Sequence, residues 1–278
     1  MPTNIRYTWR LLGLEVASVL LAVLFLVPFY FVIANSFKSF SEILINAASL
    51  PEALNFENYS RVWDIMKFPK VFTNSLLITL FSNIGLVIIS SMAAYRLVRY
   101  AGKWNNLLFI LFISAMVIPF QSVMIPLVQI ANQMGLIDKL PGLIICYFGF
   151  GVSLNIFLYH SFIKSIPLEI EESAVVDGCS IFGVFWLIVF PLLKPITVTI
   201  VLLNSLWIWN DFLLPLLIIS NPDLRSIPLA TYSFFGQYTK QWDLALAALV
   251  LGITPIIIFF LAMQKHIIEG ITAGSVKG

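Results

Sequence analysis

Long stretches without a charged residue constrain the fold of this chain more than any other feature. No Asp, Glu, Lys or Arg occurs in residues 16–37, 71–95, 104–137, 140–163 or 244–264. A helix needs about 20 apolar residues to cross a hydrocarbon core of about 30 Å, and its backbone polar groups must be bonded internally. A sixth stretch, residues 195–219, is apolar except for Asp211. The sequence therefore predicts an all-α integral membrane protein with six transmembrane helices.

Composition agrees with this prediction, since 60% of the 278 residues are hydrophobic and only 11% are charged. Soluble domains carry about 25% charged residues. The net charge of +2 excludes a strongly basic nucleic-acid surface. We expect a single transmembrane domain over residues 1–278, and a first span that is too deep and too long for a cleaved signal peptide. The predicted spans are approximately 12–35, 71–95, 105–131, 140–163, 190–219 and 243–264.

Orientation is indicated by the Lys and Arg residues of short loops, which favour the cytoplasmic side. The string RLVRYAGK carries Arg96, Arg99 and Lys103 without an acid, and Arg6 and Arg10 precede the first span. With six spans, this arrangement predicts that both termini are cytoplasmic. It also places residues 36–70 outside, as an extracytoplasmic segment.

Residues 164–185 differ from the apolar sequence around them. Four acids fall within nine residues: Glu169, Glu171, Glu172 and Asp177. Ser165 is a candidate N-cap with Pro167 in the first turn, Gly178 suits a left-handed helix end, and Ser180 is a candidate cap for the next helix. The pattern predicts a short cytoplasmic helix with a slim face at Ala174 and with Glu171 and Glu172 presenting charge. An ordinary amphipathic connecting loop is the alternative.

A spaced motif runs through the same loop. Glu172-Ser173-Ala174 is followed by three residues, Gly178, nine residues, Ile188, one residue and Phe190-Pro191. This spacing resembles the EAA motif of permease subunits of bacterial ABC importers, with Ser173 and Phe190 replacing the usual Ala and Leu. The resemblance implies a type I ABC importer permease fold with a cytoplasmic coupling helix that docks on an ATPase subunit. It assigns ATPase coupling to Glu171, Glu172, Ala174, Asp177 and Gly178.

Two further strings resemble carbohydrate permeases within that family. WIWNDFLLPLLII, residues 207–219, resembles their W-N-D-F-x-x-P-L motif. The terminal QKHIIEGITAGSVKG resembles the ending of the smaller second permease of the maltose and glycerol-phosphate type. It keeps Gly270, Gly274, Lys277 and Gly278.

The resemblance also implies the partners and the location of the chain. Its expected partners are a second permease in a heterodimer, two ATPase subunits, an extracytoplasmic sugar-binding protein and membrane lipid, with no nucleic acid. The expected location is the bacterial cytoplasmic membrane. The chain lacks a G-x-x-x-x-G-K-[ST] string, so ATP and Mg are assigned to the ATPase subunits. We expect a transporter subunit that is not an enzyme and holds no cofactor or metal.

Polar residues within spans are candidates for the translocation pathway. Asn204, Trp207 and Asp211 follow an i, i+3, i+7 pattern, which places them on one helical face, and Asn210 is adjacent. Amide groups and Trp rings suit the hydroxyls and flat C–H faces of sugars. Asn83 and Gln121 are weaker candidates. An alternative for Asp211 is a structural role at a bend beside Pro215.

Two other functions compete with an ABC importer for sugars. A secondary, ion-coupled transporter typically carries paired ionisable groups in mid-membrane, whereas here only Asp211 lies well away from the ends of the predicted spans. An ABC permease for a non-sugar solute is the second alternative. A membrane enzyme would need a nucleophile–base pair or a metal motif, and the sequence contains neither.

Overall fold

The computed structural model describes residues 9–100, 102–236 and 241–275, and side chains as far as residue 264. The described residues form helices without any β-strand. Four helices are long and apolar enough to cross a membrane: α1 (Trp9–Ser36), α4 (Phe68–Arg99), α7 (Leu140–Ile163) and α14 (Trp242–Ser275), the last over Trp242–Gln264. The predicted all-α membrane fold is confirmed.

The third predicted span, 105–131, is not one straight helix. It consists of α5 (Lys103–Ala115) and α6 (Phe120–Gln133), which meet at 105°. Pro119 is the extended N-cap of α6. Proline has no N–H for the helix ladder and disfavours α-helical geometry in the residue before it, which accounts for the break. Counting this pair as one span gives a fifth candidate.

The fifth predicted span, 190–219, differs at both ends. The apolar helical segment starts earlier, at Ile181, and runs through α9 (Ile181–Gly183), a π-helical turn (Val184–Val189) and α10 (Phe190–Leu192). It then bends by 73° into α11 (Lys194–Asn210), whose first turn contains Pro195. A sharp bend at a π-helical turn and a proline follows the usual causes of helix kinks. With this pair, the described residues contain up to six spans.

The chain divides into two compact units, and the larger comprises Phe68–Ala230 and Thr254–Gly278. In it α4 packs along α7, and α11 packs against both. One apolar cluster includes Ala94, Tyr159, Ile163, Val189 and Leu193; a second includes Leu86, Leu143, Tyr147, Ile208 and Ile218. These clusters fix the ends of α4, α7 and α11 relative to each other. Two short helices complete the unit, α12 (Leu213–Ile218) and most of α13 (Ile227–Thr231).

The smaller unit comprises Met1–Lys67 and Thr231–Ile253. After α1 it contains α2 (Phe40–Ile45) and α3 (Glu57–Ile65), both within the segment predicted to be extracytoplasmic. Lys38 is fully buried, and its Nζ donates to the carbonyls of Asn46 and Ser49 at 3.0 and 2.6 Å. Asn58 donates to the carbonyls of Ser36 and Lys38. These bonds satisfy a buried charge and give the segment between α1 and α4 a defined structure. That residues 1–278 act as one transmembrane domain stays a prediction.

Candidate functional site

The loop after α7 contains a short helix, α8 (Leu168–Val176). Its N-cap is Pro167, which has no capping side chain, and Ser165 Oγ instead donates to the carbonyl of Phe162 at 2.8 Å. The predicted Ser165 cap is therefore wrong, because this hydroxyl is used by the end of α7. Glu169 and Glu171 lie in the first turn, where negative charge suits the helix dipole.

The end of α8 is a Schellman turn. The N–H of Gly178 donates to the carbonyl of Val175 at 3.0 Å, and the N–H of Cys179 donates to that of Ala174 at 2.9 Å. Gly178 has φ of +89°, in the left-handed region that glycine adopts at low cost. Ala174 and Cys179 both pack against the apolar core, and such an apolar contact often accompanies this turn. The predicted left-handed helix end at Gly178 is confirmed.

A buried carboxylate ties α8 to the end of α4. Arg99 donates to Glu171 Oε1 through Nε at 2.7 Å, and its Nη2 lies 2.6 Å from the same oxygen. Tyr95 OH donates to Glu171 Oε2 at 2.8 Å. Arg99 Nη2 also donates to the carbonyl of Ile166 at 3.0 Å, just before α8. We call Tyr95, Arg99 and Glu171 the anchor; it fixes both the start and the middle of the loop helix to α4.

The anchor corrects one prediction about the loop. Glu171 was predicted to present its charge outward beside Glu172, but its side chain is only 7% exposed and its carboxylate is paired. The reason is the helical period: Glu171 lies on the face of α8 that points to α4, whereas Glu172 lies on the exposed face. The exposed acids of the loop are therefore Glu169, Glu172 and Asp177, while Glu171 positions the helix.

The exposed face of α8 is largely apolar around Glu172. Val176 and Val175 are 85% and 54% exposed, and Leu168 is 48% exposed. Glu172, Val175 and Val176 line a cleft of about 420 Å³ whose floor includes Arg99 and Glu171. A largely apolar face that carries Glu169 and Glu172, held from behind by the anchor, is suited to contact another protein.

The helix after the loop begins as predicted, with Ser180 Oγ accepting the N–H of Gly183 at 3.2 Å. Three residues on, the π-helical turn places Phe185 against Tyr95, with ring centroids 5.2 Å apart. Both sides of the loop, α8 and the following helix, are therefore in contact with the same turn of α4.

The predicted pathway residues do not share one helical face. Helix α11 ends at Asn210, and Asp211 has extended backbone. Asp211 therefore lies outside the helix and does not continue the face of Asn204 and Trp207. Asp211 Oδ1 accepts the N–H of Leu213, and Oδ2 accepts Tyr147 OH at 3.0 Å. Trp207 packs edge-on against Tyr147, with centroids 5.5 Å apart. Asp211 thus joins the break between α11 and α12 to α7, which agrees with its predicted alternative role at a bend.

The remaining candidates separate into buried and exposed residues. Asn83 and Asn204 are 5% and 3% exposed; Asn83 Nδ2 donates to Ser205 Oγ at 3.1 Å between α4 and α11. Asn210, Gln121 and the ring of Trp207 are exposed. Asn83 and Asn204 are therefore buried among the helices, although Asn83 also lines a cavity of about 250 Å³, and the other three are exposed. That these residues line the translocation pathway stays a prediction.

Three residues of these sites were not selected from the sequence. Tyr95 and Arg99 lie 76 and 72 residues from Glu171 along the chain, and Tyr147 lies 64 residues from Asp211. Arg99 was noted only as a topology signal. A buried acid needs a partner. The sequence signal for this pairing was the four acids of loop 164–185 together with the basic string RLVRYAGK, which contains no acid.

Residues 85–272 match the sequence model of a family described as the inner membrane component of binding-protein-dependent transport systems. The chain belongs to this family. The match contains α4 from its middle onward, the whole loop 164–185 and α11, and so includes the anchor. The protein is a membrane-embedded transport subunit, and the predictions of an importer permease that is not an enzyme are confirmed.

Several relatives cover almost the whole permease. It is 43% identical over 260 residues to the probable starch degradation products transport system permease protein AmyC of Thermoanaerobacterium thermosulfurigenes, covering 94% of each chain. It is 35% identical to the melibiose/raffinose/stachyose import permease protein MelC of Bacillus subtilis, covering 91% of each.

A solved structure shows the same fold. The permease resembles a chain from the crystal structure of a bacterial ABC transporter involved in the import of the acidic polysaccharide alginate. The TM-score is 0.74 at 24% identity, with 93% of this chain and 98% of that chain covered. The predicted ABC importer permease fold is confirmed.

The C-terminal motif can be located only in part. Gly270 and Gly274 fall within α14, while Lys277 and Gly278 lie outside the described residues. Among the residues that the structure describes, no three His, Cys, Asp or Glu side chains are grouped so that they could hold a metal ion.

Proposed function

We propose that this permease forms, with a second permease, the translocation pathway of an ATP-driven carbohydrate importer. The observation that carries the proposal is the 43% identity, over 94% of both chains, to a probable permease for starch degradation products. Other relatives are named as permeases for melibiose, raffinose and stachyose and for arabinooligosaccharides. The substrate class we propose is therefore an oligosaccharide.

The partners we propose are those of a binding-protein-dependent system. They are a second permease in a heterodimer, two ATPase subunits that bind ATP and Mg, and an extracytoplasmic sugar-binding protein. The proposed location is the bacterial inner membrane with both termini in the cytoplasm and residues 36–70 outside. No cofactor is assigned to this chain.

Coupling is assigned to the loop 164–185. In this proposal Glu172, Asp177 and the apolar face of α8 contact the ATPase subunit, and Ala174 and Gly178 keep the turn compact. The anchor supports this role, because a helix held by charge-assisted hydrogen bonds transmits a push to α4 instead of bending away from it. The bond from Arg99 to the Ile166 carbonyl adds a second point of attachment.

Solute contact is assigned to Trp207, with Asn210 and Gln121 as further candidates. Trp207 is 41% exposed, and its ring packs edge-on against Tyr147. A ring held in this way offers a flat apolar face to a sugar without losing much side-chain entropy. Asp211 acts indirectly, by fixing the end of α11 that carries Trp207.

Uptake of labelled oligosaccharides into proteoliposomes containing the assembled importer tests the proposal. We expect uptake that needs internal ATP and the binding protein, and that continues when ionophores collapse ion gradients. Uptake driven by a gradient without ATP would instead support a secondary transporter, and ATP-dependent uptake of a non-sugar solute would refute the substrate class.

Trp207→Ala tests the pathway assignment in the same system. We expect lower sugar uptake with normal assembly of the ATPase subunits. Loss of assembly would instead identify Trp207 as a packing residue.

A further inference from the structure

An open groove lies where the end of α4 meets the helix after the coupling loop. It has a volume of about 370 Å³. We call it the interfacial groove and define it by Met92, Arg96, Tyr100, Ile181, Phe182 and Phe185. No residue of α8 lines it.

The groove changes from apolar to cationic along its length. Met92 lies in the charge-free stretch 71–95, and Arg96 is the first charged residue after it. From Met92 to Tyr100 the groove follows α4 for eight residues, or about 12 Å at a rise of about 1.5 Å per residue. A ligand that fits this gradient has a long apolar part and an anionic end.

Arg96 is free to bind such an anionic end. Its guanidinium lies 3.7 Å from the centroid of the Tyr100 ring. In the described part of the chain it forms no ion pair, whereas its neighbour Arg99 is paired with Glu171. Contact with an aromatic face leaves the in-plane N–H donors available, and these match the oxygens of a phosphate.

The wall opposite α4 is apolar and exposed. Phe182 and Ile181 are 73% and 63% exposed, and Phe185 forms a buried floor at 4%. Aromatic side chains with a nearby arginine are typical of the membrane–water boundary. Because the groove continues along a spanning helix as far as Met92, a lipid acyl chain can fill it, and a soluble ATPase subunit cannot reach its deep end.

We propose that the interfacial groove binds an anionic phospholipid, with the phosphate at Arg96 and an acyl chain along Met92 and Phe185. The leaflet is the cytoplasmic one if the proposed orientation holds, and the binding chemistry does not depend on transport. Anionic headgroups of that leaflet attract basic residues near span ends. Tyr95 also lines the groove and donates to Glu171, so the bound lipid touches a residue of the anchor.

Lipid retention measures this site directly. The assembled importer is purified into nanodiscs of phosphatidylcholine and phosphatidylglycerol, and retained lipids are counted by native mass spectrometry. We expect the wild type to be enriched in phosphatidylglycerol over the bulk mixture. Arg96→Gln should reduce this enrichment about fivefold, the factor for about 1 kcal/mol per basic residue at a membrane surface.

Matched variants separate the site from general charge. Arg61→Gln removes one exposed positive charge from α3 and should leave the enrichment unchanged. Arg96→Lys should keep most of it. An equal loss in Arg61→Gln and Arg96→Gln, or no loss in either, would overturn the proposal.

Photoactivatable phosphatidylglycerol provides a test on the unaltered protein. We expect cross-links to peptides containing Met92 or Phe182. Lipid cross-links elsewhere only would overturn the proposal. A Phe182→benzoylphenylalanine variant that reacts only with an ATPase subunit would overturn it too, by showing that the groove is a protein interface. A preparation that takes up no sugar yet retains lipid through Arg96 would reject the proposed transport function alone.

Discussion

At the residue scale, Glu171 and Glu172 show how adjacent carboxylates acquire different roles. Glu171 is buried and accepts hydrogen bonds from Arg99 and Tyr95, while Glu172 is exposed. Removing one member of a buried ion pair leaves the other charge without compensation, which costs about 3–5 kcal/mol. Removing an exposed carboxylate changes stability by about 0.5 kcal/mol or less.

We therefore expect Glu171→Ala to lower the thermal stability of the purified permease strongly and Glu172→Ala to leave it nearly unchanged. Both should impair coupling to the ATPase, for different reasons. The double variant Glu171→Leu with Arg99→Leu should recover part of the stability, because an apolar pair of similar volume can replace a buried ion pair. Equal melting temperatures for the two single variants would contradict the role of the anchor.

Gly178 gives a second prediction. An added Cβ would meet no atom within 4 Å, so any cost comes from φ of +89° alone. Asn adopts this region more readily than Ala, which is strained by about 1–2 kcal/mol, and a β-branched residue is strained further. Sugar uptake, normalised to permease in the membrane, should be highest for Gly178→Asn, lower for Gly178→Ala and lowest for Gly178→Val. Normal uptake by Gly178→Val would show that this turn is not needed for coupling.

At the scale of secondary-structure elements, the breaks between helices depend on individual side chains and can be tested by substitution. Asp211 closes the break between α11 and α12 by accepting the N–H of Leu213 and the hydroxyl of Tyr147. A capping side chain contributes about 1 kcal/mol, and so does an ordinary hydrogen bond. The break should therefore tolerate loss of one of these bonds better than loss of both.

Substitutions at this break distinguish a structural role from a direct role in translocation. Tyr147→Phe removes one bond and Asp211→Ala removes both. Asp211→Asn keeps one oxygen acceptor for the N–H of Leu213, and its amide N–H can donate to the Tyr147 hydroxyl, so a bond to each partner remains. If Asp211 is structural, thermal stability and uptake should decline together. The loss should be smallest for Asp211→Asn, larger for Tyr147→Phe and largest for Asp211→Ala. If Asp211→Asn keeps normal stability but loses uptake, the carboxylate charge acts on the solute.

The elements also show what could be predicted from sequence. Straight spans were predictable because the need for about 20 apolar residues is local. Proline alone did not identify the breaks: Pro28, Pro126 and Pro255 lie inside helices, whereas Pro119 begins one. In the coupling loop Gly178 and Ser180 act through their own turns and were predictable. The direction of Glu171 depends on Arg99, 72 residues away, and was not.

At the scale of the whole molecule, orientation remains a prediction from the loop charges. Reporter fusions near Gly102 and Gly178 should give a cytoplasmic signal, and a fusion near Lys139 should give an external one. Arg96, Arg99 and Lys103 near the first position, without an acid, are the physical reason. A cytoplasmic signal at Lys139 would contradict both the number of spans and the proposed side of the coupling loop.

The anchor also limits how this protein can be recombined with others. A chimaera that receives residues 164–185 alone acquires Glu171 but neither Arg99 nor Tyr95, which lie on α4. The transplanted carboxylate then lacks its donors, and a buried charge without a partner destabilises the position of the grafted helix. Residues 164–185 therefore cannot be transferred alone with their structure intact. The smallest segment set that can be transferred also includes the last two turns of α4.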